Sequence, residues 1–143
     1  AWSGSAGAAC PEPDILFICP SGTVKSAIAR ELLKRRATER GVAVHVWSRG
    51  LKIADHVTPE LAARLKADGL DPRAEPPRPL TPADLTHTDI VVAFDEAARA
   101  PGLEHARVWD IPGFLADYDA AKAGLAARIE HLLDELQARR CPG

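Results

Sequence analysis

The stretch ILFICPSGTVKSAIAREL, Ile15 to Leu32, decides the reading of this chain. An unbroken apolar run of strand character ends on Cys19, passes through a loop of small residues, and enters a helical pattern after Lys25-Ser26. Two readings compete for it. One is a strand-to-helix turn with a cysteine packed as a small apolar group. The other is a loop that holds an anion above a reactive sulfur. A run of backbone N–H groups at a helix start makes a concave anion site, reinforced by the positive end of the helix dipole. Gly22 permits a left-handed residue inside such a loop, and Ser21, Thr23 and Ser26 add hydroxyl donors. The same field stabilises a thiolate at the base of the loop, and a sulfur placed under a bound phosphate could attack phosphorus in line. The anion-site reading is preferred. The glycines of a Walker-type loop, G-x-x-x-x-G-K-[ST], are not in place.

Working outward, alternating elements follow. Helical spacing runs from about Thr23 to Arg40, with Arg30, Lys34 and Arg35 expected on the outer side and Gly41 as the stop. VAVHVWS (42–48) is β-rich and is followed by SRG. Thr58-Pro59-Glu60 opens a helix to about Asp68, closed by Gly69. DPRAEPPRP (71–79) is a proline-rich surface loop, and Thr81-Pro82 starts a short helix. TDIVVAFD (88–95) is a second buried strand and RVWDI (107–111) a weaker one. Leu125, Ile129, Leu132, Leu133 and Leu136 form one stripe of a final helix, from about Asp117 or Asp119 to Arg139. The alternation predicts an α/β fold, a small parallel four-stranded sheet flanked by helices on both faces with right-handed crossovers. Residues 1–13 read as a flexible N-terminal extension and 14–140 as a single domain.

With 18 Lys and Arg against 20 Asp and Glu, no basic face points to nucleic acid or an acidic membrane surface. No apolar stretch has the length of a membrane span. Cys10, Cys19 and Cys141 form no disulfide framework, and no Cys/His cluster has metal-ligand spacing. The expectation is therefore no metal, no organic cofactor and a cytoplasmic protein. Cys10 and Cys141 are read as two tail thiols; their pairing in an exported or periplasmic protein is the alternative. Trp47, Trp109 and Tyr118 could rim a pocket, although packing at the sheet edge is the simpler reading.

The order of segments resembles the low-molecular-weight protein tyrosine phosphatases and the arsenate reductases that share their fold. Their C-x5-R-S signature stands here as CPSGTVKS, Cys19 to Ser26; SRG, ADGLDP and LTPADLTHTDIVVAFD fall where related segments occur. The resemblance implies that Cys19 is the nucleophile, that Pro20, Ser21, Gly22, Thr23, Val24 and Lys25 cradle the phosphate, and that Ser26 hydrogen-bonds the thiolate. It implies hydrolysis of a phosphomonoester, phosphotyrosine among the candidates, through a phosphocysteine intermediate. The partners it implies are a phosphorylated substrate or a free oxyanion such as phosphate, sulfate or arsenate.

Three departures accompany it. Lys25 replaces an arginine, and an ammonium lacks the forked geometry that a guanidinium lays along phosphate oxygens. The family's acid lies in an Asp-Pro loop after the last strand. Here VWDIPGF offers Asp110 before the proline and Gly113 after it, with Asp117 or Asp119 as poor substitutes. The relay cysteines of thioredoxin-coupled arsenate reductases have no counterpart in AFDEAARAPGLEHA (93–106). The first two departures keep an oxyanion-binding pseudophosphatase beside the hydrolase as an alternative; arsenate reduction stands third.

Overall fold

The computed structural model describes residues 11–54 and 57–139. Cys10 and Cys141, whose pairing the sequence leaves open, lie outside them. The elements are β1 (Asp14–Cys19), α1 (Lys25–Arg40), β2 (His45–Gly50), α2 (Pro59–Ala67), α3 (Pro82–Thr86), β3 (Ile90–Phe94), a 3-10 turn (Asp95–Arg99), β4 (Arg107–Trp109) and α4 (Tyr118–Ala138). The four strands pair in parallel in the order β2-β1-β3-β4. This is the α/β sheet that the alternation predicts.

Each face of the sheet receives its own apolar layer. Ile15, Phe17 and Cys19 of β1 face one layer with residues of α1, α2 and α4. Phe17, Phe94 and Trp109 meet there at ring-centroid distances of 5.5 to 6.1 Å. Leu16 and Ile18 face the other layer, with Ala97 of the 3-10 turn and Leu85 of α3. A strand covered on both faces reads as a continuous apolar run, which is why ILFIC carries no polar alternation. The α4 stripe from Leu125 to Leu136 is buried throughout, as its spacing requires.

Element boundaries follow local chemistry. Gly41 takes φ +68° and caps α1, and Val42 N–H then donates to the Ala37 carbonyl. That hydrogen bond keeps Val42 in the cap, so β2 starts at His45, opposite Asp14, and runs on through Ser48, Arg49 and Gly50. The expected strand thus shifts toward the C-terminus. Thr58 and Thr81 are N-caps, each followed by proline, and Asp84 completes a capping box with Thr81. Before β1, Pro13 is already buried and its carbonyl accepts from His45 N–H.

Arg30 overturns its expected outward position. It is 1% exposed, and its guanidinium donates to Ser48 Oγ at 2.7 Å, the Pro72 carbonyl at 3.0 Å and Glu31 Oε2 at 2.7 Å. Every residue from Lys25 to Arg30 is buried, so the first turns of α1 have no solvent face on which a charge could be placed. Arg30 instead pins the proline-rich segment to β2 beneath the loop that follows β1. Arg30→Leu is expected to destabilise the protein by about 3 kcal/mol, because it strands two buried acceptors and a partly buried carboxylate. A urea midpoint measured against the native chain checks it.

Candidate active site

In an open parallel sheet, ligands bind beyond the carboxyl ends of the strands, where strand order reverses. Here that point lies between β1 and β3, because β2 is laid on one side of β1 and β3 on the other. Cys19 ends β1, Asp95 follows β3, Ile111 follows β4 and Gly50 ends β2. All four meet around one loop.

The loop Pro20 to Val24 is held from outside. Pro20 carbonyl accepts from Leu51 and Lys52 N–H, at 3.1 and 2.9 Å, and Ser21 carbonyl accepts from Ala54 N–H at 3.2 Å. Gly22 has φ +73°, the left-handed conformation its lack of a Cβ permits. Its N–H donates to Cys19 Sγ at 3.2 Å, and Ser26 Oγ lies 2.9 Å from the same sulfur. Ser21 and Thr23 hydroxyls pair at 3.0 Å, and Ser21 Oγ also accepts from Thr23 N–H at 3.3 Å. Val24 caps α1 with no side-chain hydrogen bond, and no acidic residue occupies the first turn. The positive end of α1 is therefore uncompensated by any carboxylate on its own first turn, beside a sulfur that accepts from Gly22 N–H and pairs with Ser26 Oγ.

Gly50 makes the loop's shape obligatory. A Cβ there would stand 2.6 Å from Gly22 N and 2.8 Å from Gly22 Cα. Ser-Arg-Gly after VAVHVW is thus a contact with the loop after β1, seated between two further backbone pairings, Gly50 N–H to Arg78 carbonyl and Leu80 N–H to Gly50 carbonyl.

Lys25 is placed differently from the free cation the loop motif leads one to expect. Its Nζ donates to both oxygens of Asp95, each at 2.8 Å, and to the Ile111 carbonyl at 2.6 Å. An ammonium has three N–H donors, and here all three have acceptors. Asp95 is the one non-glycine residue with positive φ among the described residues, at 56°, where β3 breaks into the 3-10 turn. That backbone conformation is uncommon outside glycine, asparagine and aspartate. Sequence reasoning missed Asp95 as a site residue. The available signal was an aspartate directly after a buried parallel strand, at the end of the sheet where ligands bind.

Asp110 does not reach the site. Trp109 and Ile111 are buried on either side of it, and the alternation of an extended segment turns Asp110 outward, where it is exposed. Gly113, Phe114, Leu115 and Ala116 of the same loop line the cleft over Cys19, which has a volume of about 420 Å³ and is closed on the other side by Pro20, Ser21, Val24 and Leu61. Among the described residues Asp95 is the one carboxylate in that lining. Asp117 is the N-cap of α4, accepting from Ala120 N–H at 3.1 Å, and Asp119 is exposed. A larger depression, about 720 Å³ between α2 and the turn at 69–73, carries no thiol or hydroxyl.

Trp47, Trp109 and Tyr118 do not line the cleft over Cys19; the aromatic residue that does is Phe114. Trp109 is in the core, while Trp47 is half-exposed and sits beneath Arg49, whose guanidinium pairs with Asp84. Tyr118 packs edge-on against Phe114 at 5.7 Å and donates its hydroxyl to Asp68. Burial, then that hydrogen bond, pushes the Tyr118 phenol up to about 12 and keeps it protonated; the same bond, with Lys122, holds Asp68 below the usual carboxylate range. Among the described residues no group of three or more metal-ligating side chains gathers, and no helix is long and apolar enough to cross a membrane.

A cysteine sulfur that meets Gly22 N–H and Ser26 Oγ thus stands at the switch point of a parallel α/β sheet, ahead of a helix start. A family model of low molecular weight phosphotyrosine protein phosphatases matches residues 14–135, and the chain belongs to that family. Solved structures show the same fold. The low molecular weight protein tyrosine phosphatase from T. tengcongensis is 18% identical, with a TM-score of 0.74 over 87% of this chain and 99% of that one. The thioredoxin-dependent arsenate reductase of Corynebacterium glutamicum is 26% identical, with a TM-score of 0.70 over 92% of this chain and 64% of that one. The tyrosine phosphatase Wzb from Escherichia coli K30, solved in complex with sulphate, is 20% identical, with a TM-score of 0.70 over 88% and 99%. No curated protein matches the sequence at a significant level.

Proposed function

We propose that the protein is a cysteine-dependent phosphomonoester hydrolase that works through a phosphocysteine on Cys19. The observation that carries this reading is the convergence of Gly22 N–H and Ser26 Oγ on Cys19 Sγ, at 3.2 and 2.9 Å, beneath an uncapped helix start. These contacts aim the sulfur at the loop that collects the phosphoryl oxygens. In the first step a sulfur lone pair forms the S–P bond while the P–O bond to the leaving group breaks, its electron pair going to that oxygen. In the second a water oxygen attacks phosphorus, the S–P bond breaks, and the electron pair returns to Cys19 as thiolate. Inorganic phosphate leaves with the oxygen of that water, and the water's proton passes to phosphate or solvent.

Carboxymethylation tests it. Iodoacetate should remove 4-nitrophenyl phosphatase activity in proportion to modification of the Cys19 peptide, and inorganic phosphate should slow both together. Activity that persists after Cys19 is fully modified would overturn the reading.

A second reading, an oxyanion-binding pseudophosphatase, is favoured by the saturation of Lys25. An ammonium holding Asp95 and Ile111 lends the loop little net charge, and its three donors must be surrendered before it can touch a phosphate oxygen. Asp95→Asn keeps a residue type that tolerates the left-handed backbone while removing the competing charge. It should tighten phosphate binding by about fivefold, roughly 1 kcal/mol, in a calorimetric titration.

A further inference from the structure

We propose that this site transfers phosphoryl groups only from leaving groups that depart as stable anions, because the described residues of the cleft supply them with no proton. The inference rests on the Cys19 hydrolase reading and narrows its substrates to acyl phosphates and the phosphates of acidic phenols, excluding alkyl phosphates and disfavouring tyrosyl ones. Attack in line from Cys19 Sγ puts the leaving oxygen on the far side of phosphorus, in the cleft that Gly113, Phe114, Leu115 and Ala116 help to line. None of these side chains carries an exchangeable proton. Among the described residues the titratable groups lining the cleft are Cys19, Lys25 and Asp95. Cys19 is the nucleophile. The three N–H donors of Lys25 point at Asp95 and Ile111, and both Asp95 oxygens accept from Lys25. Asp110 faces solvent and Asp117 caps α4.

A positioned acid contributes about 10²–10⁴-fold to departure of a basic oxygen, and that factor shrinks as the leaving group becomes a weaker base. Without it, the P–O bond breaks with its electron pair left on oxygen, and the anion takes its proton later from water. Leu115, 67% exposed, leaves the mouth of the cleft open to that water.

Gly113 offers a way to restore the acid. Its φ lies outside the left-handed range, and a Cβ there would meet only Ala116 Cβ, at an ordinary 3.8 Å. A side chain at 113 therefore costs little in packing and starts from a residue that lines the cleft.

The test is kcat/KM, which reports formation of the phosphocysteine, across substituted phenyl phosphates from 4-nitrophenyl to phenyl, with acetyl phosphate as the acyl donor. Native protein should lose close to tenfold per unit of leaving-group pKa, accept acetyl phosphate, and show no fall of kcat/KM on the alkaline side from a titrating acid. Gly113→Asp should flatten the slope, raising phenyl phosphate at least tenfold more than 4-nitrophenyl phosphate, and gain that alkaline fall; Gly113→Asn should keep the native slope. A shallow native slope that still depends on Cys19 would overturn the inference and leave the hydrolase reading intact. Absence of turnover on every substrate, or turnover that survives Cys19→Ser, would overturn both.

Discussion

Cys19→Ser is expected to lower kcat/KM for 4-nitrophenyl phosphate by at least roughly 10⁴-fold while phosphate still binds. The substitution exchanges sulfur for a smaller oxygen at a site where Ser26 Oγ and Gly22 N–H already point, so the donors that shape the loop remain. What disappears is the proposed nucleophile. A serine hydroxyl stays protonated at neutral pH, and the one carboxylate among the described residues of the cleft is engaged, both Asp95 oxygens being bound by Lys25. A steady-state assay beside a calorimetric phosphate titration separates the two effects. Loss of turnover with retained binding assigns the chemistry to sulfur and the recognition to the backbone.

Gly50→Ala should have the next largest effect on the site, and it acts through geometry alone. The new Cβ would lie 2.6 to 2.8 Å from Gly22 N, Gly22 Cα and Ser21 C, all of them backbone atoms. No side chain can swing aside, so either the loop or the end of β2 must move. The end of β2 is tied to the segment at 78–80 by two backbone hydrogen bonds, which leaves the loop to give way. Phosphate affinity should fall by about tenfold to a hundredfold, and stability by about 2 kcal/mol, as for overpacking of a filled core. Titration calorimetry and a urea midpoint read these separately.

The residues differ in how much of their role can be read along the chain. ILFIC, the caps at Thr58 and Thr81, Gly41 and the Leu125–Leu136 stripe are local signals, and each forms the element its local chemistry favours. The loop from Cys19 to Ser26 is local too, because all its parts lie within one strand-loop-helix unit. Three other features are set by contacts across the sheet. Lys25 meets Asp95 only because β3 lies beside β1, 70 residues away in sequence. Arg30 reads as a surface charge by helical periodicity, yet β2 and the proline-rich segment cover that side of α1. Asp110 and Gly113 lie three positions apart in one loop, and only the burial of Trp109 and Ile111 determines which of them faces the cleft. The consequence is chemical. The sequence points to a cation above an anion site and a carboxylate beyond it, whereas the fold spends the cation on Asp95 and presents a glycine.

The most direct test of the account is to quench the protein in the presence of substrate. Native protein mixed with 4-nitrophenyl phosphate, quenched within the first turnovers and digested, should yield the peptide containing Cys19 carrying one phosphoryl group on sulfur, with a ³¹P resonance characteristic of a phosphorothiolate. Turnover with no phosphoryl group on Cys19, or with the group on Ser21, Thr23 or Ser26 instead, would contradict it.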